Sequence, residues 1–447
     1  MKSGRAIAKD ATLYIGDVLD SLGPTAFRLL KGGAIAVDDG GQILAVGRAR
    51  HVRDSFPHAE EVDFWDLLMI PGLVDSHTHV SQYDAVAIRE EGLLRWLRSD
   101  IYPVEASFQD LKVARHVARR FFQDLAKHGT TTASVFSTVH EEATEVVFEE
   151  ARRSGLRALI GKTMMDCNCP PDLRESTADS IGKSERLYLR WNGKANGRLR
   201  YTFSPRFALT CSGRLLRGTA RLASKHDAPM QTHLAETKEE TRLAVKLHSS
   251  ARNYTDIYRQ AGLLRPKSIF AHSIYLKPSE IRWLAESGAG ISHCPGSNLF
   301  LKSGFMDVQR ILRATMNVGL GSDIGGSPDI SIFRAMSMAG YSSKAGAIHA
   351  ELSRKGNSPH IVTPSIAFYC ATLGGARALG INDVAGNLRE GKQADFLVLD
   401  TRPIDPLART PREMTAERIL SLLMYRASDQ AVCRTYVDGK LVWKRES

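Results

Sequence analysis

The chain has 447 residues, 43% hydrophobic and 24% charged, with 36 Gly and 17 Pro. That is ordinary globular composition and excludes a peptide, a lone small module and a disordered, collagen-like or coiled-coil chain. Lys and Arg outnumber Asp and Glu by 60 to 49, a net charge of +11, so acidic partners have to be weighed, although the basic residues are scattered.

Residues 12–15, 34–37 and 43–46 read as short strands, the last two joined through the turn Asp39-Gly40-Gly41. The end of the chain repeats this pattern, with strands expected at 394–399, 434–437 and 441–443 and the turn pair Asp438-Gly439. The two flanks are expected to pair into one small β-sandwich, since chain termini often lie close together. Between them, short apolar runs alternate with long amphipathic stretches. Strands are expected at 67–75, 131–136, 158–165, 199–203, 229–233, 268–272, 290–293 and 318–323, and helices at 111–127, 142–153, 214–225 and 238–260. Eight strands over about 300 residues fit an α/β fold of the (β/α)₈ barrel type better than an open doubly wound sheet. No phosphate-binding glycine motif opposes this. The expected organisation is 1–68 and 381–447 as the two parts of the β-sandwich and 69–380 as the barrel.

The densest basic run, RHVARR at 115–120, lies on a helical pattern with Val113, Val117 and Phe121 inward, which reads as a solvated face. Six cysteines, two of them in Cys167-Asn168-Cys169, are too few for a disulfide framework and point to reduced thiols. No segment approaches the roughly 18 apolar residues that span a bilayer, and no signal peptide opens the chain, so a soluble cytoplasmic protein is expected.

In such barrels chemistry sits at the C-terminal ends of the strands, and here those ends carry metal-ligand types. The first closes in Asp75-Ser76-His77-Thr78-His79; residues two apart face the same side, so His77 and His79 can grip one ion. The fifth strand ends at His233, the sixth at His272 and the eighth at Asp323. Several imidazoles and a carboxylate suit Zn²⁺, with another divalent ion such as Fe²⁺ as the alternative. A single strand-end His is ordinarily a hydrogen-bonding residue; agreement between several strand ends argues for a site. Glu236, three residues past His233, is positioned for general acid/base work, against the plainer role of a helix-opening acid.

At these residues the sequence resembles the amidohydrolase superfamily and, within it, the guanine deaminase family. The likeness runs through PGLVDSHTHVSQY from Pro71, LLRWL from Leu93, HGTTTA from His128, SPRFALTCS from Ser204, THLAE from Thr232, FAHS from Phe270, HCPGSNLFLKSGF from His293, GLGSD from Gly319 and GNLREGKQADFLVLD from Gly386. The resemblance implies one Zn²⁺ per subunit held by His77, His79, His233 and Asp323, with His272 beside the reacting water. It also implies a purine pocket built by Gln82, Arg206, Phe207 and His233, with Trp96 a further candidate for its wall. The implied reaction is hydrolytic deamination of guanine to xanthine and ammonia, with Glu236, Asp323 and His272 as the catalytic residues, in a homodimer. Departures from the family pattern fall at Thr237, Ser273, Gly296 and the 325–331 segment GGSPDIS. They leave a related amino-heterocycle open as substrate: 8-oxoguanine, another aminopurine, a pterin or a triazine.

Binuclear relatives use a carboxylated lysine, commonly at the fourth strand end. Here that end reads Phe203-Ser204-Pro205-Arg206-Phe207, and Lys162 on the third strand is an outside candidate, so one metal is expected. The other zinc deaminase plan needs HxE followed by PCxxC; His58-Ala59-Glu60 supplies the first half and nothing supplies the second. His293 and Cys294 are expected to back the site, Cys294 as a buried thiol. A non-catalytic basic protein keeping the same barrel is the alternative of a different class; no nucleic-acid-binding signature and no membrane partner is expected.

Overall fold

Alternating strands and amphipathic helices close into a parallel barrel in the computed structural model of the chain, which describes residues 11–88, 92–315, 317–353 and 360–446. Four strands, β1 (Ala11–Ser21), β2 (Phe27–Asp38), β3 (Ile43–Arg48) and β4 (Glu60–Pro71), precede the barrel. The barrel strands are β5 (Leu73–His79), β6 (Thr130–Phe136), β7 (Arg157–Gly161), β8 (Leu199–Tyr201), β9 (Met230–Leu234), β10 (Ser268–His272), β11 (Gly290–His293) and β12 (Val318–Leu320). After them come β13 (Phe396–Leu399), β14 (Val432–Val437) and β15 (Lys440–Lys444).

Strands β5 to β8 pair in parallel in one run and β9 to β12 in another. Two seams join the runs. At the first, Phe203 N–H donates to the Pro229 carbonyl and Gln231 N–H to the Phe203 carbonyl, at 3.0 and 2.9 Å. At the second, Asp323 N–H donates to the His77 carbonyl at 2.9 Å, and the Ser76 hydroxyl to the Leu320 carbonyl at 2.8 Å. Helices cover the outside through apolar stripes. In Leu111–Lys127, capped by the Asp110 carboxylate, Ala114, Val117, Ala118, Phe121, Phe122 and Leu125 are buried at helical spacing. Its basic face is neutralised by the next helix, with Arg115 bonded to Glu149 and Glu150.

Both chain ends build one β unit. Its seven strands run β15-β14-β13-β4-β1-β2-β3, mixed because β1 and β4 are parallel and the other neighbours antiparallel. The sheet is continuous and curls round an aromatic core: Tyr14 on β1 lies 5.0 Å from Phe396 on β13, centroid to centroid, and 5.3 Å from Tyr436 on β14. The curl is stitched where Ile43 N–H reaches the Lys392 carbonyl and Ala394 N–H the Gly41 carbonyl.

Three sequence expectations change. The strand expected at 158–165 ends at Gly161, with only the two-residue strand Thr163–Met164 beyond it. The strand expected at 67–75 is two strands: β4 belongs to the curled sheet, and the chain turns into the barrel at Gly72, where a Cβ would lie 2.1 Å from Thr131 Oγ1. The helix expected at 238–260 is also two, Lys238–Leu247 and Tyr254–Ala261. Asn253 interrupts it by accepting the Asp256 N–H with its side chain and capping the second helix. All six cysteines are free thiols, and no described helix is long and apolar enough to cross a membrane.

The curled sheet is pinned to the barrel by buried charge. Arg157, opening β7, donates to Asp395 at 3.0 Å and to Asp438 at 2.7 Å, and Arg198 reaches Asp438 at 3.1 Å. Removing one partner of such a network leaves carboxylates buried without a cation, a cost of about 3–5 kcal/mol. Arg157→Met is therefore expected to lower the melting temperature by several degrees in calorimetry; an unchanged melt would refute the role of this contact.

Candidate active site

At the C-terminal mouth of the barrel the strand ends deliver the expected donors to one point. Period-two alternation in β5 turns His77 and His79 inward together. His79 Nε2 lies 3.2 Å from His77 Nε2 and 3.1 Å from His233 Nε2. Asp323 Oδ1 lies 3.3 Å from His77 Nε2 and 3.4 Å from His79 Nε2. All four side chains are buried. Burial holds His79 and His233 well below the ordinary imidazole range, so both are neutral. His233 Nδ1 is bound to the Arg206 carbonyl at 2.7 Å, which leaves its Nε2 lone pair facing the cluster.

His233 Nε2 and the Asp323 carboxylate can only accept here, and the Nδ1 atoms of His77 and His79 have no hydrogen-bond partner, so the cluster is rich in lone pairs facing one another. A cation resolves the conflict. Tetrahedral zinc with ligands at about 2.0–2.1 Å has donor-to-donor edges of roughly 3.3–3.4 Å, close to the spacings seen here. The donor set therefore fits one divalent ion.

His272 stands beside this cluster, its Nε2 3.7 Å from Asp323 Oδ2 and 3.5 Å from Glu236 Oε2. Its Nδ1 is held by Asn298 Oδ1 at 2.9 Å. Glu236 leaves β9 through Ala235, whose φ is +49°, and accepts the Ser303 hydroxyl at 2.9 Å. Burial pushes its carboxyl up to about 7, against the charge of His272. A group balanced there can both take and give a proton at neutral pH. His272 and Asp323 also hold left-handed backbones, φ +65° and +48°, conformations that persist only where the surroundings enforce them.

These residues open on a narrow cavity walled by Gln82, Trp96, Arg206, Phe207 and Leu301, with His79, His233, Glu236, His272 and Asp323 at its base. Of the residues singled out in the sequence, Gln82, Arg206, Phe207, Trp96, His79, His233, Glu236, His272 and Asp323 line this cavity, and His77 lies against His79 and Asp323. Lys162 does not: its buried ammonium is bonded to Glu175. His293 and Cys294 are buried, and Cys294 is grouped with His77, His272 and Asp323.

The family departures have structural partners. Thr237 caps helix Lys238–Leu247 in a reciprocal box with Glu240. Ser273 has φ +52°, which accounts for the glycine the family pattern favours there. Gly296 packs on the 325–331 segment so closely that a Cβ would sit 2.5 Å from Ser327 Oγ. At Gly325, with φ +98°, a Cβ would meet Gln82 Cβ at 2.5 Å and Gln82 Oε1 at 2.8 Å.

Sequence reasoning missed four contributors. Asn298 and Ser303 lie inside a motif it quoted, but nothing in their spacing shows which side chains they reach. Asp75, also quoted, accepts the N–H of His77 and both the N–H and hydroxyl of Ser322, tying the first and last barrel strands together; burial pushes it up to about 7. Glu105, on helix Tyr102–Ser107, is bonded to Arg206 and Gln82.

The Amidohydrolase family model matches residues 68–442. A guanine deaminase of Escherichia coli strain K12 is 34% identical over 94% of this chain and 93% of its own length. Among solved structures, a guanine deaminase from Bradyrhizobium japonicum superposes with a TM-score of 0.92 at 29% identity, covering 98% of this chain and 100% of that one. One from C. acetobutylicum with guanine bound in its active site gives 0.88 at 30% identity, covering 97% and 100%. With the matched segment spanning the barrel and the likeness running nearly end to end, the chain belongs to the amidohydrolase family and, within it, to the guanine deaminases.

Proposed function

We propose that this chain hydrolyses guanine to xanthine and ammonia, using one Zn²⁺ per subunit held by His77, His79, His233 and Asp323. The observation that carries the proposal is the convergence of that donor set, with Glu236 and His272 alongside, on the base of a cavity lined by Arg206, Gln82 and Phe207. When bound, the metal supplies a Lewis acid that makes water a nucleophile at neutral pH.

The chain's own residues do the rest. Phe207 offers a ring face to the flat purine, and Arg206 and Gln82 bind its polar edge so that C2 and its amino group face the donor cluster. Asp323, through the Oδ2 that faces His272, takes a proton from the attacking water. His272 Nε2, fixed by Asn298, orients that water and stabilises the charge that develops. Glu236 Oε2 gives its proton to the ring nitrogen beside C2, takes up the proton of the new C2 hydroxyl and delivers it to the departing ammonia as the C–N bond breaks; the proton left on Asp323 then restores Glu236, so that water and guanine balance xanthine and ammonia. We further infer a cytoplasmic homodimer: Tyr341, Ile348 and Leu352 are exposed along one stripe of helix Ile332–Leu352 and offer an apolar face for pairing. The division at 1–68, 69–380 and 381–447 is part of the same proposal.

Purified protein incubated with guanine, 8-oxoguanine, adenine and a pterin, followed by ultraviolet spectra and ammonia release, is expected to give xanthine from guanine only. Turnover of another heterocycle with guanine inert would overturn the assignment. Glu236→Gln is expected to keep about one metal per subunit by elemental analysis and lose at least a hundredfold in kcat, the scale of general acid–base catalysis, whereas His77→Ala loses both metal and turnover. Gly325→Ala, by pushing Gln82 aside, is expected to lower kcat/KM for guanine by on the order of a hundredfold, as misplaced binding groups do, with metal content intact.

A further inference from the structure

Glu105 is buried and stands one layer behind the cavity wall. Its carboxylate is shared: Oε1 accepts from Arg206 Nη1 at 2.7 Å and from Gln82 Nε2 at 2.9 Å, and Oε2 accepts from Arg206 Nη1 at 2.5 Å. Thr138 Oγ1 donates to the Glu105 carbonyl at 3.4 Å, and the Arg206 guanidinium lies 5.3 Å from the centre of the Tyr102 ring on the same helix. A carboxylate bonded to a guanidinium can only accept. The amide of Gln82 therefore has one orientation, with its NH₂ turned back to Glu105 and its carbonyl oxygen free to accept. That oxygen lies beside Gly325, where no side chain obstructs it.

We propose that Glu105 is the positioning residue that sets the hydrogen-bonding polarity of the purine site, making Arg206 a fixed donor and Gln82 a fixed acceptor. This rests on the guanine-deaminating activity proposed above. Guanine presents an acceptor, O6, next to a donor, N1–H, on the edge adjoining C2; 2,6-diaminopurine presents the reverse order, an amino donor next to an acceptor nitrogen, while keeping the same 2-amino leaving group. A donor–acceptor pair locked by Glu105 accepts the first and leaves unpaired groups with the second, the arrangement that discriminates most strongly.

The test is steady-state kinetics on guanine and 2,6-diaminopurine for the wild type, Glu105→Gln and Glu105→Asp, with metal analysis and thermal melts alongside. In Glu105→Gln the amide of Gln82 is released to turn over. The expected result is a fall of at least tenfold in the ratio of kcat/KM between guanine and 2,6-diaminopurine, mostly through a higher KM for guanine, with metal content unchanged. Glu105→Asp, which keeps the charge, restores part of the ratio. In a double-mutant cycle with Gln82→Ala the losses are less than additive, because Glu105 acts through Gln82. Equal losses on both substrates, additive losses in the cycle, loss of metal, or failure of both Glu105 variants to fold would each overturn the proposal in favour of a purely structural ion pair. A wild type inert on guanine would sink the functional assignment and this inference together, whereas an active wild type with an unmoved ratio in the variants sinks this inference alone.

Discussion

Four ligand-type atoms from three strand ends crowd together at the barrel mouth, with neighbouring pairs 3.1 to 3.4 Å apart. That crowding is unfavourable for the bare polypeptide and has to be imposed by the scaffold. The scaffold does so by closing the barrel tightly at the same level. Asp323 N–H bonds to the His77 carbonyl, and Asp75 draws in Ser322 and the His77 N–H, so two of the crowded side chains hang from one hydrogen-bonded seam. The left-handed backbones at His272 and Asp323 belong to the same compromise. Local conformational cost is accepted where it aims a side chain, and it is offset by packing and pairing in the surrounding barrel.

Around this centre several of the buried polar side chains have a dedicated support. Asn298 holds His272, Ser303 holds Glu236, the Arg206 carbonyl holds His233, and Glu105 holds Arg206 and Gln82. Arg206 thus serves twice, its main chain fixing a donor of the cluster and its side chain walling the cavity. The link between the two is a strand end three residues from Phe203, where the two half-barrels are sewn together. The imidazole–carboxylate cluster and the cavity wall are therefore mechanically continuous.

What the sequence made legible was whatever depends on periodicity. His77 and His79 declare themselves through two-residue alternation, and His233, His272 and Asp323 by standing where apolar strand runs stop. The helix at 111–127 was readable to the residue because an apolar stripe at helical spacing marks it. What escaped depends on tertiary approach. Gly72 ends a strand because of Thr131, which is close only once β5 and β6 have paired. Asn253 divides a stretch whose apolar spacing continues across it. Glu105 reads as one acidic residue on a short helix, and its partners lie 23 and 101 positions away. Spacing rules carry no information at that range.

The contact between Gly296 and Ser327 has a consequence for how this pocket can change. The two positions compete for one space, so a larger residue at 296 has no room while the serine hydroxyl stays where it is. A side chain added at 296 has to displace that hydroxyl, whereas a smaller residue at 327 would make room for it. The size tolerated at 296 is thereby set by the residue and rotamer at 327, and the energetic effects of changing the two are coupled rather than independent.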